Sequence, residues 1–461
     1  MRSVNSNRSV SFRTNVRNLQ ARWSWNDKIS FGEVRSILGQ IPPGACPEPC
    51  RRGRNDNYLL FNCLVLVVLV VAATPLWAQK IAVKGETVYT MAGDPIQNGV
   101  VLIKNGKIER VGPASRLNIG SDYKILSNKI VTPGLIDAHT VVGLAGYYNQ
   151  KHDQDQLEKS DPIQAELRAI DAFNAREKLV EWVRNFGVTT IHTGHGPGAL
   201  ISGQTMIVKT NGKTVNDALI KPTAMVAFSL GPNVGRNFKS PGTRSKGVAM
   251  IRTALLKAQN YVKKMQNKKE DKRPDRDLKM EVLAQILSKE LPVLFTAQKA
   301  TEIMSALRLA EEFGIKIILD GAAESYLLLD EIKAAKVPVI LHPTMVRNRG
   351  ETQNASYETA AKLQQAGIQF ALQSGYESYV PKTRVILYEA AIAAANGLAF
   401  EDALATITIN AAQILGIDKR VGSLEKGKDA DVVLFDGDPF EYTSHVCTVI
   451  IDGKVVSDEC R

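Results

Sequence analysis

The sequence predicts an α/β protein: a parallel sheet closed into a (β/α)8 TIM-type barrel, with a small composite β-sandwich built from both ends of the mature chain. Three observations carry this. A unit of helix, glycine and short apolar strand recurs through the middle of the chain. An Asn-Gly hairpin and an Asp-Gly hairpin stand near its two ends. A short apolar strand, Leu135-Ile136, delivers Asp137 and His139 to its carboxyl end, where α/β folds place their chemistry. The 461 residues, 44% apolar and 23% charged, suffice for a barrel and an accessory domain.

Residues 1–57 are polar, rich in Arg and Asn, and aperiodic. They read as a disordered leader or as translated sequence upstream of the true start. Residues 58–78 read as a signal peptide. Arg51, Arg52 and Arg54 form its basic flank, Leu59 to Ala73 its apolar run, and Leu76-Trp77-Ala78 its cleavage site. Leu76 is a poor residue at minus three, so an uncleaved membrane anchor is the competing reading. Either way the expectation is a secreted or periplasmic protein, touching a membrane through this segment alone. Of five cysteines, export and cleavage leave Cys447 and Cys460, which an oxidising compartment would allow to pair.

The formal charge of +11 is concentrated at the start. Residues 1–78 hold ten basic and four acidic side chains, a surplus of +6, which leaves +5 for the rest. No basic stripe with interleaved aromatics follows, which argues against a nucleic-acid partner.

The first part of the sandwich is expected over 79–132. Alternating apolar residues mark its strands, and Asn105-Gly106 supplies the positive φ angles of a type I′ hairpin turn. The second part, 416–461, repeats the device at Asp452-Gly453. Between them, 133–415 alternates. Asp161 followed by Pro162 predicts a helix start, with Ile163, Leu167, Ile170 and Leu179 on one face. Phe186-Gly187 ends it, and the strand Val188 to Ile191 follows. A helix ending at Phe313-Gly314 leads to strand Ile315 to Leu319. Another, ending at Ala366-Gly367, leads to strand Ile368 to Leu372. Val293 to Phe295 and Val337 to Leu341 add buried strands. Glycine at C′ in the left-handed region stops each helix. Residues 263–279 are densely charged and read as a solvated helix end and linker, with a lid over the barrel mouth as the alternative.

The motif Thr132-Pro133-Gly134-Leu135-Ile136-Asp137-Ala138-His139 resembles the first-strand signature of the amidohydrolase superfamily. Asn410 to Gly416 and Gly422 to Leu434 are similar to its last helix and its return into the sandwich. The resemblance covers 80–461 and is nearest in style to the imidazolonepropionase-like branch. It implies a barrel with a composite sandwich, one or two divalent ions, usually zinc, and hydrolysis of C–N bonds in cyclic amides or N-acyl groups. It also implies a ligand set that this chain alters. The second imidazole of His-x-His is Val141. Thr296 and Gln298 stand at the next histidine segment. Gly321 replaces a histidine, and Gly375 replaces the last aspartate.

Six histidines remain to be placed. His139, His192 and His195 are the candidates for a relocated metal site. Opposing this, residues i and i+3 on a strand face opposite sides, and plain hydrogen bonding at a polar mouth is the simpler reading. Asp320 and Glu324 are the candidate acid–base carboxylates, and Gln298 and His342 the candidate substrate contacts. Two functions are carried forward: a hydrolase of C–N bonds in a small molecule with an altered metal site, and a catalytically inactive relative that binds a ligand or partner. The partner would be a second copy of the chain or an intact paralogue.

Overall fold

The computed structural model describes residues 80–148, 150–344, 350–376 and 386–461. The leader, the signal segment and Cys46, Cys50 and Cys63 lie outside the described residues. The chain enters through β1 (Lys80–Val88), β2 (Ile96–Lys104), β3 (Lys107–Pro113) and β4 (Lys124–Pro133). β1, β2 and β3 pair antiparallel in sequence, and β4 returns parallel to β1. The β2–β3 turn is the expected one, with Asn105 at φ 53° and Gly106 at φ 77°. Alternate residues of these strands, among them Ile81, Val83, Val101 and Ile103, bury one apolar face together.

Gly134 separates β4 from β5 (Leu135–Thr140). A Cβ there would lie 2.1 Å from Thr189 Oγ1, so this glycine of the opening motif is required by close approach to the next strand. β6 (Val188–Thr193) follows, then β7 (Ile201–Gln204), β8 (Met206–Lys209), β9 (Leu219–Lys221) and β10 (Val226–Ser229). β11 (Val293–Ala297), β12 (Ile317–Gly321), β13 (Val339–Leu341) and β14 (Phe370–Leu372) complete the central strands. They form two sheets, ordered β5-β6-β8-β9 and β14-β13-β12-β11-β10-β7. β10 to β14 run parallel, as do β5 and β6. Single links join the sheets: a bridge between Thr140 and Gly375, and hydrogen bonds between Thr205 and both Met225 and Ala224.

Most of these strands are buried on both faces, as parallel sheets require. Ile136, Ala138, Ile207, Leu294, Ile318, Ile340 and Ala371 pack on one side with Ala411, Ala412 and Leu415 of the helix Ile409–Leu415. Their alternating neighbours, such as Leu135, Ile191, Phe295 and Leu319, pack with the surrounding helices. The helix–glycine–strand units are present. Gly187, Gly314 and Gly367 all have positive φ. The helices Ala300–Phe313 and Thr359–Gln365 end as expected, and their strands begin two residues later than the apolar pattern suggested.

One expectation is corrected. The helix predicted from Asp161 is absent over its first half. Gln164 N–H bonds to Ile201 O, Ile201 N–H to Pro162 O and Gln204 N–H to Leu167 O, so β7 takes the backbone groups a helix would need. The helix is Lys178–Asn185 alone. The charged 263–279 segment is an exposed helix end and linker, the first of the two readings given for it, and not the alternative lid. The preceding helix, Arg244–Met265, starts beside Glu302 at the carboxyl end of β11, with Arg244 Nε 2.6 Å from its carboxylate. Its length of roughly 33 Å carries the charged residues to the far end of the strands.

The chain closes with β15 (Val432–Phe435), β16 (Val446–Ile451) and β17 (Lys454–Ser457). β15 pairs antiparallel with β4, so both ends of the chain share one seven-stranded sheet, ordered β17-β16-β15-β4-β1-β2-β3. The two hairpin turns meet: a Cβ on Gly453 would sit 2.8 Å from Gly106 Cα. Lys209 of β8 ties this sheet to the central strands. Its buried ammonium lies 2.6 Å from Asp431, 3.1 Å from Asp452 and 3.2 Å from Asp429. A disulfide joins Cys447 to Cys460, as the cysteine arithmetic suggested.

Candidate functional site

The carboxyl ends of β5, β11, β12 and β14 converge on one buried polar cluster. His139 is the last residue but one of β5, buried, and its Nδ1 lies 2.8 Å from Asp320 Oδ1 on β12. Gln373, just past β14, donates from Nε2 to the same oxygen at 2.7 Å. Thr296 of β11 donates to Asp320 Oδ2 at 2.6 Å. Burial pushes the Asp320 carboxyl up, but attraction to His139 and these three hydrogen bonds together hold it below the usual carboxylate range. An ionised carboxylate accepts and does not donate, so the shared proton belongs to His139 Nδ1. His139 Nε2 is buried and has no hydrogen-bond partner among the described residues.

Asp137, two residues earlier on β5, accepts from the backbone N–H of Ser374 at 3.0 Å and from the Ser374 hydroxyl. Burial lifts its carboxyl to about 7, against the pull of the Ser374 hydrogen bonds. Tyr376 lies between the histidines, its ring 5.8 Å from that of His139 and 6.3 Å from that of His342. Its hydroxyl accepts from Gln298 Nε2 at 2.9 Å, and Gln298 Oε1 accepts from Ala323 N–H at 3.1 Å. Gly321, at φ 76°, makes this possible: a Cβ there would lie 2.4 Å from Gln298 Nε2.

The remaining candidates are placed as follows. His192 lies beside His139, ring centroids 5.7 Å apart, but both its nitrogens are engaged. Nδ1–H donates to Ala138 O at 2.7 Å, and Nε2 pairs with the Thr205 hydroxyl at 2.6 Å. Burial, with His139 next, pulls its imidazole down to about 3, so it is neutral. His195 is buried against Gly203, both nitrogens without hydrogen-bond partners among the described residues, and burial pulls it down to about 4. His342 Nδ1–H donates to Gln373 O at 3.3 Å. Glu324 is occupied away from the pair: it accepts from Ala300 N–H at 2.7 Å, at the start of the helix Ala300–Phe313, and from Asn354 at 2.8 Å. Sequence reasoning gave no role to Gln373, Ser374, Tyr376 or Thr205. The first two lie within the Ala371-Leu372-Gln373-Ser374-Gly375 strand end, a signal that was there to use. Thr205 had none.

The donor set does not fit a zinc ion. Among the described residues, no group of three or more His, Cys, Asp or Glu side chains is gathered to hold a metal. Asp320 already accepts three hydrogen bonds, and neither His192 nitrogen offers a free lone pair. The neutral oxygens of Thr296 and Gln298 are weak zinc ligands.

This fold places the chain among proteins of the amidohydrolase type. The profile of the Amidohydrolase family matches residues 130–456, and the chain belongs to that family. Within it, the chain falls in the imidazolonepropionase-like branch. It is 26% identical to an imidazolonepropionase from Fusobacterium nucleatum, over 78% of this chain and 91% of the relative. An imidazolonepropionase from Solibacter usitatus is 24% identical, over 75% and 86%. Among solved structures, an amidohydrolase from Thermotoga maritima superposes with a TM-score of 0.77 at 32% identity, covering 82% of this chain and all of that one.

Proposed function

We propose that the chain is an exported amidohydrolase-family hydrolase that cleaves a C–N bond of a small molecule at an altered metal site. The two central sheets are read as a (β/α)8-type barrel and the seven-stranded sheet as its composite sandwich, with the polar cluster at the barrel mouth. The observation that carries the reading is His139: Nδ1–H is held by Asp320, and Nε2 is left without a protein partner among the described residues. That is the arrangement of a general base whose tautomer is set by a carboxylate. His139 would accept a proton from the attacking water, and Asp320 would stabilise the imidazolium that results. Export is supported by the pattern of residues 58–78 and by the Cys447–Cys460 bond, since disulfides persist in oxidising compartments. Turnover of a lactam and N-acyl amide panel by protein purified without added metal is the test. His139→Ala should lower it by about 100-fold or more. No turnover by the wild type across the panel, with or without added zinc, would sink the hydrolase reading.

A second reading has its own support. Val141, Thr296, Gln298, Gly321 and Gly375 stand where the family pattern places ligands, and His139 itself is buried. A retained scaffold that binds a ligand, a second copy or an intact paralogue needs none of that chemistry. Ligand binding without turnover, or co-purification with an intact paralogue, would favour it.

A further inference from the structure

We infer that Thr296 and Gln298, two of the residues standing at the ligand positions, are committed together with Asp320, Gln373 and Tyr376 to a hydrogen-bonded set that does the positioning a metal would do, so that the site takes no zinc. The inference rests on the same reading of the His139 cluster as the reaction site, and its test reads metal and hydrogen bonding instead of turnover.

The set has two arms that meet at β12. In the first, Asp320 is fixed from three directions, by His139 from β5, Thr296 from β11 and Gln373 from β14. Gln373 Nε2 also reaches Ile340 O of β13 at 3.2 Å, so five neighbouring strand ends are tied through one carboxylate and one amide. A metal ion orients its ligands from a single centre; here Asp320 is that centre, with donors in place of ligands. In the second arm, Gln298 is locked between Ala323 and Tyr376, in space that exists because residue 321 has no side chain. A histidine at 321 would displace Gln298, and through it Tyr376, whose ring faces His139. His192 is removed as a ligand by a separate lock, Ala138 O on one nitrogen and Thr205 on the other. Restoring a histidine at 141 or 321 therefore leaves Thr296, Gln298, Asp320 and His192 committed to protein partners, which a buried polar group gives up only at a cost.

The experiment uses the full mature chain. After dialysis against chelator, plasma mass spectrometry should find less than about 0.1 zinc per chain, and added zinc should leave the thermal midpoint unchanged. Val141→His alone should not recruit zinc. Gln373→Leu, which keeps the volume and removes the donor, should speed solvent exchange of the His139 Nδ1–H proton, read by NMR, at least about tenfold. Thr296→Val should do the same more weakly, which covers the case in which Gln373→Leu fails to fold. Zinc retained at one per chain, a midpoint that falls with chelator, zinc binding by Val141→His, or His139 exchange unmoved in both variants would overturn the inference. Zinc-dependent turnover would overturn it and leave the hydrolase reading standing. A metal-free, inactive wild type would do the reverse.

Discussion

Replacing Lys209 by methionine isolates the tie between the two ends of the chain and the central strands. The Lys209 side chain is 4% exposed, and two of its three carboxylate partners are as buried: Asp429 and Asp431 are each 3% exposed, whereas Asp452 is 48% exposed. The ammonium loses solvation on burial, yet its three carboxylate neighbours hold its affinity for protons above the ordinary lysine value. Asp429 keeps Arg420, at 2.9 Å, when Lys209 is gone. Asp431 keeps no cation, and burial already lifts its carboxyl although Lys209 opposes that. Methionine fills the same volume, so the loss is electrostatic. Stranding one partner of a buried pair costs about 3–5 kcal/mol. With an unfolding entropy of about 2.1 cal/mol/K per residue over about 380 residues, this lowers the thermal midpoint by roughly 4–6 °C. The penalty should shrink on acidification, because a protonated Asp431 no longer needs a counter-charge. Lys209→Met/Asp431→Leu should recover most of the loss. Scanning calorimetry of the single and double variants at neutral and acid pH reads all three effects. A single variant within about 1 °C of wild type, or a double variant as unstable as the sum of the singles, refutes the reasoning.

Two further outcomes are expected. Gly321→Ala must place a Cβ 2.4 Å from Gln298 Nε2 at a φ of 76°, for a combined cost of roughly 2–4 kcal/mol. Gln298→Ala in the same chain should relieve the steric part and leave the backbone part, read by urea denaturation; no relief would mean that the glycine does not make room for the amide. Stability should also fall as pH drops from about 6 to about 4. His192 and His195, depressed to about 3 and about 4, contribute stability that is full above the unfolded histidine value and is lost as pH falls. Asp137 and Glu351, both raised to about 7 by burial, work the other way and nearly offset the two imidazoles close to pH 6. The fall therefore steepens towards pH 4, where Asp320 and Asp429, held low in the fold, add to it. A flat or rising profile over that range would contradict the burial of these imidazoles.

Much of the scaffold was legible because it is written in local chemistry. Asn105-Gly106 and Asp452-Gly453 name their turns through residues that tolerate positive φ, and Gly187, Gly314 and Gly367 name the helix ends. The opening motif marks the start of the central strands because proline stops one strand and Gly134 lets the next pass close to Thr189. The Asp161 helix failed because its apolar spacing says nothing of β7, which competes for the same backbone groups. Glu324 looked like an active carboxylate from its place after a strand, and its partners at Ala300 and Asn354 lie 24 and 30 residues away.

The sequence by itself determined the family, through its motifs, and the α/β alternation and the pairing of the two chain ends, through residue type and spacing. The resemblance puts Val141, Thr296, Gln298, Gly321 and Gly375 where ligands would be expected. The tertiary structure alone decided what the residues there do. That Asp320 is the hub for His139, Thr296 and Gln373, that Gly321 yields its space to Gln298, and that His192 is spent on Ala138 and Thr205 are facts about side chains from different strands. Hydrogen bonds act over about 3 Å, and no spacing along the chain encodes which strand ends come that close.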